Sequence, residues 1–229
     1  MVERDVRSRE GFYEYRLDPS DPWERPEKYV GPVDRSELLS ELLEPHVSLP
    51  RDVLEVGFGA GANLARLYAD GFRDLHTVEL NPEMVTTFER HYPAVAEATD
   101  LRRGPVEREL PRMASDGVDA TATVAVLAHL HPDSEFVFDQ LVRVTADVLV
   151  TIENERTRDP LFVPRNYRTV FESRGCEQVA FVGADAIDDR TKLSDNCRAR
   201  VFDVGRLPDD PPRFFHRYRD SIYCYSCGL

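Results

Sequence analysis

Lysine is almost missing from this chain of 229 residues: Lys28 and Lys192 stand against 27 arginines. Long apolar runs are missing as well. The longest candidates, around residues 124–130 and 148–152, are strand-sized and far short of the roughly 18–20 residues that a membrane-spanning helix needs. The opening residues MVERDVRSRE hold no apolar segment, so no secretory leader is expected and a soluble cytoplasmic protein is. Positive charge is scarce, 29 basic residues facing 42 acidic ones for a formal net charge of −13. No stretch supplies the cationic patch that a phosphate backbone requires, so nucleic acid is not an expected partner. Cysteine is limited to four residues, of which Cys224 and Cys227 form a lone C-x-x-C. A structural zinc site needs a second pair at similar spacing, and Cys176 and Cys197 lie too far apart to provide one. Thiols are therefore expected and a metal site is not.

What is abundant is short carboxylate. Of the 42 acids, 22 are Asp, a surface that stays hydrated in concentrated salt; an Arg/Ala/Asp bias from a GC-rich genome gives the same composition. The length suits one domain with a sizeable core.

Residues 1–35 are polar and Pro-interrupted yet carry Phe12, Tyr13, Tyr15, Trp23 and Tyr29. Aromatics bury large areas, so this segment is expected to pack on the domain or cap its site. Asp34 to Glu37 reads as a capping box that opens a helix ending near Pro45. From residue 36 to 204 strands and helices alternate. Strands are expected at 52–56, 75–79, 94–98, 118–126, 148–152, 178–182 and 198–204, the last two as a hairpin. Helices are expected at 63–69, from Asn81-Pro82 to 92, from Pro105 towards 113, at 132–144 and at 166–173. This order predicts an α/β fold: a doubly wound, mostly parallel seven-stranded sheet with an antiparallel last strand and helices on both faces. Residues 205–229 read as a tail. In such sheets ligands bind at the carboxyl ends of the strands, here after the first, second and fourth.

The stretch Glu55-Val-Gly57-Phe58-Gly59-Ala-Gly61-Ala62-Asn63 sits at the first of those ends. Alternating glycines between a strand and a helix permit a tight turn and close approach of a ligand to backbone. Glu79 ends the next strand, where it can accept from both hydroxyls of a ribose. Two cofactors suit that pairing. Counted as G-x-G-x-x-A through Ala62, the loop is a dinucleotide fingerprint of a nicotinamide oxidoreductase. Counted as E-x-G-x-G-x-G from Glu55 to Gly61, it looks like the first motif of a different cofactor family, and a pyrophosphate would gain nothing from a carboxylate at Glu55.

In the second count the chain resembles the class I S-adenosylmethionine-dependent methyltransferases, over about residues 36–204. The resemblance implies that Glu55 lies near the methionine ammonium, with Gly57, Phe58, Gly59, Gly61 and Asn63 forming the loop. In Glu79-Leu80-Asn-Pro-Glu-Met84, it places Leu80 and Met84 against the adenine; Asp100 and Leu101 look like the pair that reads the adenine amino group. Val126-Leu-Ala-His129-Leu resembles the segment over the cofactor, and His129 is the candidate general base. S-Adenosyl-L-methionine is then the cofactor and S-adenosyl-L-homocysteine the product. Glu153, Asn154 and Glu155 after the fifth strand, with Arg165 and Tyr167 before the next helix, are candidate acceptor contacts. No N/D-P-P-Y/F and no Pro-Cys follows the fourth strand, which argues against base methylation. A small or sugar-like acceptor fits the acidic surface best, a protein or tRNA acceptor being the alternative. The composition also resembles that of salt-loving archaea.

Overall fold

A computed structural model describes residues 8–9, 11, 13, 25–31, 34–46, 52–156, 162–184, 186–187 and 197–205. Trp23, the Cys224/Cys227 pair, residues 206–229 and most of the first 24 residues lie outside the described residues. Four helices precede or follow the first strands: α1 (Asp34–Leu43), α2 (Ala62–Ala69), α3 (Pro82–His91) and α4 (Pro93–Glu97). Strands β1 (Asp52–Val56), β2 (Asp74–Glu79) and β3 (Thr99–Arg103) alternate with them. The second half runs α5 (Val106–Glu109), β4 (Val118–Val124), α6 (Phe136–Val144), β5 (Thr145–Asn154), α7 (Tyr167–Glu172), β6 (Glu177–Val182) and β7 (Cys197–Asp203). The sheet order is β3-β2-β1-β4-β5-β7-β6, with β7 antiparallel to both its neighbours and the other pairings parallel. This is the doubly wound architecture the residue order implies, and the strand order reverses between β1 and β4.

Each face of the sheet carries its own core. Val53, Ala120 and Val150 meet Leu38, Leu39, Leu64, Leu67 and Phe88 on one side. Leu54, Val56 and Leu149 meet Val137, Phe138, Leu141, Tyr167 and Phe171 on the other. Burial of each such Leu or Phe stabilises the fold by roughly 1.5–3 kcal/mol, which is why the central strands read as continuous apolar runs. Among the described residues no helix is long and apolar enough to cross a membrane.

Four boundaries differ from those the sequence suggests. Residues 94–98 are not the third strand: Pro93 occupies a first helical position and Val95 turns into the core, making α4, so β3 begins at Thr99. As an edge strand β3 has no fully buried residue, and its weak apolar pattern hid it. Strand β4 stops at Val124 because Ala125 takes a left-handed φ of 55° and the chain enters a 3-10 turn, Leu127–His129. The helix expected over 132–144 is split into the 3-10 turn Pro132–Ser134 and α6. Strand β5 extends to Asn154, which carries Glu153 into the sheet.

Helix α3 starts as the Asn-Pro signal demands: Asn81 Oδ1 accepts from Glu83 N at 2.9 Å and Pro82 follows. Replacing Asn81 with alanine orphans that donor and is expected to cost about 1 kcal/mol in urea unfolding.

Candidate cofactor site

The loop after β1 forms because three glycines take positive φ, +67° at Gly57, +58° at Gly59 and +89° at Gly61. Two of them have no alternative. A Cβ on Gly57 would overlap the Val126 side chain, and one on Gly61 would enter the Phe88 ring. The loop is tied to its neighbours by backbone. Gly57 N donates to Val78 O at 2.9 Å, and Gly61 N to Phe58 O at 3.1 Å. Gly61 then caps α2. Phe58 is buried, edge-on against Phe88 with ring centroids 4.8 Å apart.

Two carboxylates flank this loop. Glu79, at the end of β2, accepts from Gly59 N at 3.3 Å and from Asn81 N at 2.8 Å, so it joins the glycine loop to the start of α3. Glu55 is fully buried. Its Oε1 accepts from Asn63 Nδ2 at 2.6 Å, and Asn63 in turn accepts from Ser36 Oγ at 2.5 Å. Its Oε2 has no hydrogen-bond partner among the described residues. Burial pushes the Glu55 carboxyl up to about 7, opposed by the Asn63 hydrogen bond and by the charge of Arg35. A buried carboxylate with one open oxygen calls for a cationic or hydrogen-bond-donating partner.

Tyr29 lies against the loop, its Cβ 3.7 Å from where a Gly59 Cβ would be, with the Arg35 guanidinium 5.4 Å from its ring centre. Gly31 N donates to Tyr92 Oη at 2.8 Å, which ties this segment to the residue that follows α3. Further back, Tyr13 Oη donates to Glu107, which also accepts from Ser134 Oγ at 2.6 Å.

On the β4 side, Val126 stands over Gly57 and the turn Leu127–His129 follows. The His129 ring packs on Phe162 at 4.5 Å between centroids. The structure therefore gathers Glu55, Gly57, Phe58, Gly59, Gly61, Asn63, Glu79 and Val126 at the switch in strand order. Leu80 is half-buried and Met84 buried where α3 begins.

Asp100 and Leu101 are not brought there. Asp100 pairs in register with His76, three residues before the Arg103 that faces Glu79, or roughly 10 Å down the strand. Its side chain is 51% exposed and engages His76 at 3.4 Å and Arg102 at 3.3 Å. Leu101 packs into the core. The end of β3 is instead Gly104, with φ +145° and its N donating to Glu79 O at 2.8 Å. Pro93 was the signal: a helix opened there displaces β3 and everything read from its end.

The acceptor contacts expected at the fifth strand also differ. Glu153 is fully buried, its carboxylate accepting from Val126 N and Leu127 N. Burial pushes it up to about 7 against those donors. Arg165, also buried, pairs with Glu135 at 2.6 Å and donates to three backbone carbonyls. Tyr167 lies in the core with its hydroxyl unpartnered among the described residues, and burial beside Glu153 pushes the phenol well above its usual range. These three are buried where acceptor contacts were expected, Glu153 and Arg165 because backbone groups from residues 126–130 meet them and Tyr167 because it packs in the core. Asn154 stays half-buried at the strand end, and Glu155 pairs with Arg200 at 2.5 Å. Cys176 and Cys197 are buried thiols, each pushed up to about 12 by burial. Among the described residues no cluster of three or more His, Cys, Asp or Glu is placed to hold a metal ion.

Residues 54–147 match the family model of a methyltransferase domain, a family that uses S-adenosylmethionine. No curated protein matches the sequence. Among solved structures, the chain is similar to the N-methyltransferase NodS of Bradyrhizobium japonicum in complex with S-adenosyl-L-homocysteine: TM-score 0.60, 18% identity, covering 85% of this chain and 97% of that one. Geranyl diphosphate C-methyltransferase of Streptomyces coelicolor, also bound to S-adenosyl-L-homocysteine, aligns with TM-score 0.59 and 13% identity over 74% of each chain. The [4+2]-cyclase SpnF aligns with TM-score 0.57 and 13% identity, over 74% of this chain and 79% of that one. These likenesses establish the fold, and the cyclase among them shows that the fold alone does not dictate the reaction.

Proposed function

We propose, with the methyltransferase domain over residues 54–147 as the premise, that this chain transfers a methyl group from S-adenosylmethionine to a small or sugar-like acceptor. One observation carries the reading: the buried Glu55 carboxylate keeps an open oxygen at the foot of the glycine loop, one strand from a second carboxylate at Glu79. The residues present fit the cofactor. Glu55 would take the methionine ammonium, with Asn63 and Ser36 fixing its other oxygen. Glu79 would accept from the ribose hydroxyls while keeping its bonds to the loop and to Asn81. Leu80, Met84 and Val126 would flank the adenine, and Gly104 at the end of β3 replaces Asp100 in that neighbourhood.

Bound S-adenosylmethionine supplies a methyl group already activated on a sulfonium. The work left to the protein is alignment and exclusion of water. Tyr29, against Gly59, would serve that exclusion as part of a capping segment over residues 1–35. His129, on the turn after β4, would take a proton from an acceptor that must lose one. In this reading residues 36–204 are the catalytic domain and 205–229 a tail. The acidic surface supports a cytoplasmic protein of concentrated salt, as in halophilic archaea, and disfavours polyanionic acceptors. Geranyl diphosphate, the acceptor in the Streptomyces protein's name, is a precedent for a small acceptor on this fold.

Calorimetric titration in molar KCl with S-adenosylmethionine, S-adenosylhomocysteine and NAD tests the reading. Micromolar binding of both sulfur ligands and none of NAD is expected. Binding of NAD alone overturns the reading and makes Ala62 the residue to count in the glycine loop.

A further inference from the structure

The three-residue turn Leu127–His129 is gripped from two sides by buried charge. At its start, both Glu153 oxygens accept from Val126 N at 3.0 Å, and Oε2 accepts from Leu127 N at 3.1 Å. At its other flank, Arg165 Nη1 donates to Leu127 O at 3.2 Å and Nη2 donates to Leu130 O at 3.3 Å. The guanidinium is itself steadied by Glu135 at Nε and lies 5.1 Å from the Phe138 ring centre. Both charged side chains are almost wholly removed from solvent.

Packing alone does not require this. Leu127, Ala128 and Leu130 are already buried, so the turn has apolar anchors. Desolvating a carboxylate and a guanidinium opposes folding by several kcal/mol each unless every hydrogen bond is well made. What charge adds over apolar contact is direction, since hydrogen bonds fix where a backbone group stands while dispersion fixes only that it is near. The turn also begins from a strained residue, the left-handed Ala125. The turn brings two side chains to their neighbours: Val126, pressed on Gly57, and His129, whose ring packs on Phe162.

We propose that Glu153 and Arg165 are positioning residues, which together set the turn Leu127–His129 over the carboxyl end of β4 and so place Val126 against the glycine loop and His129 at the site. This rests on reading the loop as an S-adenosylmethionine site.

The test uses the full chain with S-adenosylhomocysteine as probe, well below the melting temperature, and two variants. Glu153→Gln keeps shape but presents amide hydrogens to backbone donors. It is expected to lower hydrogen-exchange protection of the Val126 and Leu127 amides about tenfold or more, leaving Ala122 and Val150 unchanged. Affinity for S-adenosylhomocysteine is expected to fall about tenfold, the loss of one charged hydrogen bond. Arg165→Lys, which keeps the charge but not the fork, should loosen the His129 and Leu130 amides in the same way. Unchanged protection in both variants overturns the proposal, and so does lost protection with unchanged affinity, which would make the grip structural only. If the wild-type chain binds no S-adenosylhomocysteine, the methyltransferase reading falls instead, and amide exchange alone still decides whether the two charges hold the turn.

Discussion

Glu55→Ala is expected to weaken S-adenosylmethionine and S-adenosylhomocysteine binding at least about 100-fold. Losing one partner of a desolvated charge pair costs about 3 kcal/mol or more, and each 1.4 kcal/mol is a factor of ten. A dinucleotide, whose phosphates gain nothing from a carboxylate there, would hardly notice the change. The same residue sets a pH dependence. In the ligand-free fold burial raises the Glu55 carboxyl from 4.5 to about 7, so the folded chain holds this proton more tightly than the unfolded one. Its contribution to stability is therefore full below about 4.5 and lost as pH rises through about 7, on the order of 3 kcal/mol. Glu153, raised to about 7 from the same ordinary value, acts in the same sense. Urea unfolding at pH 5 and pH 8 should show the ligand-free protein less stable at the higher pH, with a smaller difference in Glu55→Gln. Affinity for the sulfur ligands should move the other way, rising between pH 5 and 7 as the carboxylate ionises, and Glu55→Gln should be weak and flat. Binding by Glu55→Gln within about threefold of wild type, well under 1 kcal/mol, would remove Glu55 from the site.

The second large effect is on folding. Gly61→Ala must place a Cβ in the Phe88 ring at a φ of +89°. The left-handed conformation costs about 1–2 kcal/mol for a residue with a side chain, and overpacking a core aromatic adds about 1–3. A loss of about 3 kcal/mol in urea unfolding is expected. Gly31 separates the two causes, because it shares the left-handed φ, +97°, but has nothing within 4 Å of its would-be Cβ. Gly31→Ala should therefore cost only the conformational share, about 1 kcal/mol. Equal losses in the two variants would show that Phe88 moves aside freely and that the loop is less tightly seated than its geometry implies.

The glycine loop, Glu55 and Glu79 were legible in the sequence because their chemistry is local. A strand end, the turn after it and the next strand's last residue recur at fixed offsets whatever packs around them. Asp100 lies elsewhere for a reason equally local: Pro93 after α3 restarts a helix, and a one-element shift moves this residue from just past the end of a strand to near the start of one. Glu153, Arg165 and Tyr167 were read as acceptor contacts because polar residues near a strand end are usually exposed enough to meet a ligand. Their burial depends on groups far along the chain. Glu153 meets Val126 across 27 positions, and Arg165 meets Leu127 across 38.

Residue order alone thus determined the alternation of strands and helices and the doubly wound sheet, because apolar periodicity and turn chemistry act over a few neighbours. Tertiary structure alone decided which carboxylate keeps an open oxygen and which is spent on backbone. Glu55 and Glu153 are both strand carboxylates buried in the same sheet, and both are raised to about 7. They differ only in what the fold brings to them: one side-chain amide at Glu55, two backbone N–H groups of a descending turn at Glu153. The free energy of a buried charge is set by its partners, and those are assembled only when the chain closes.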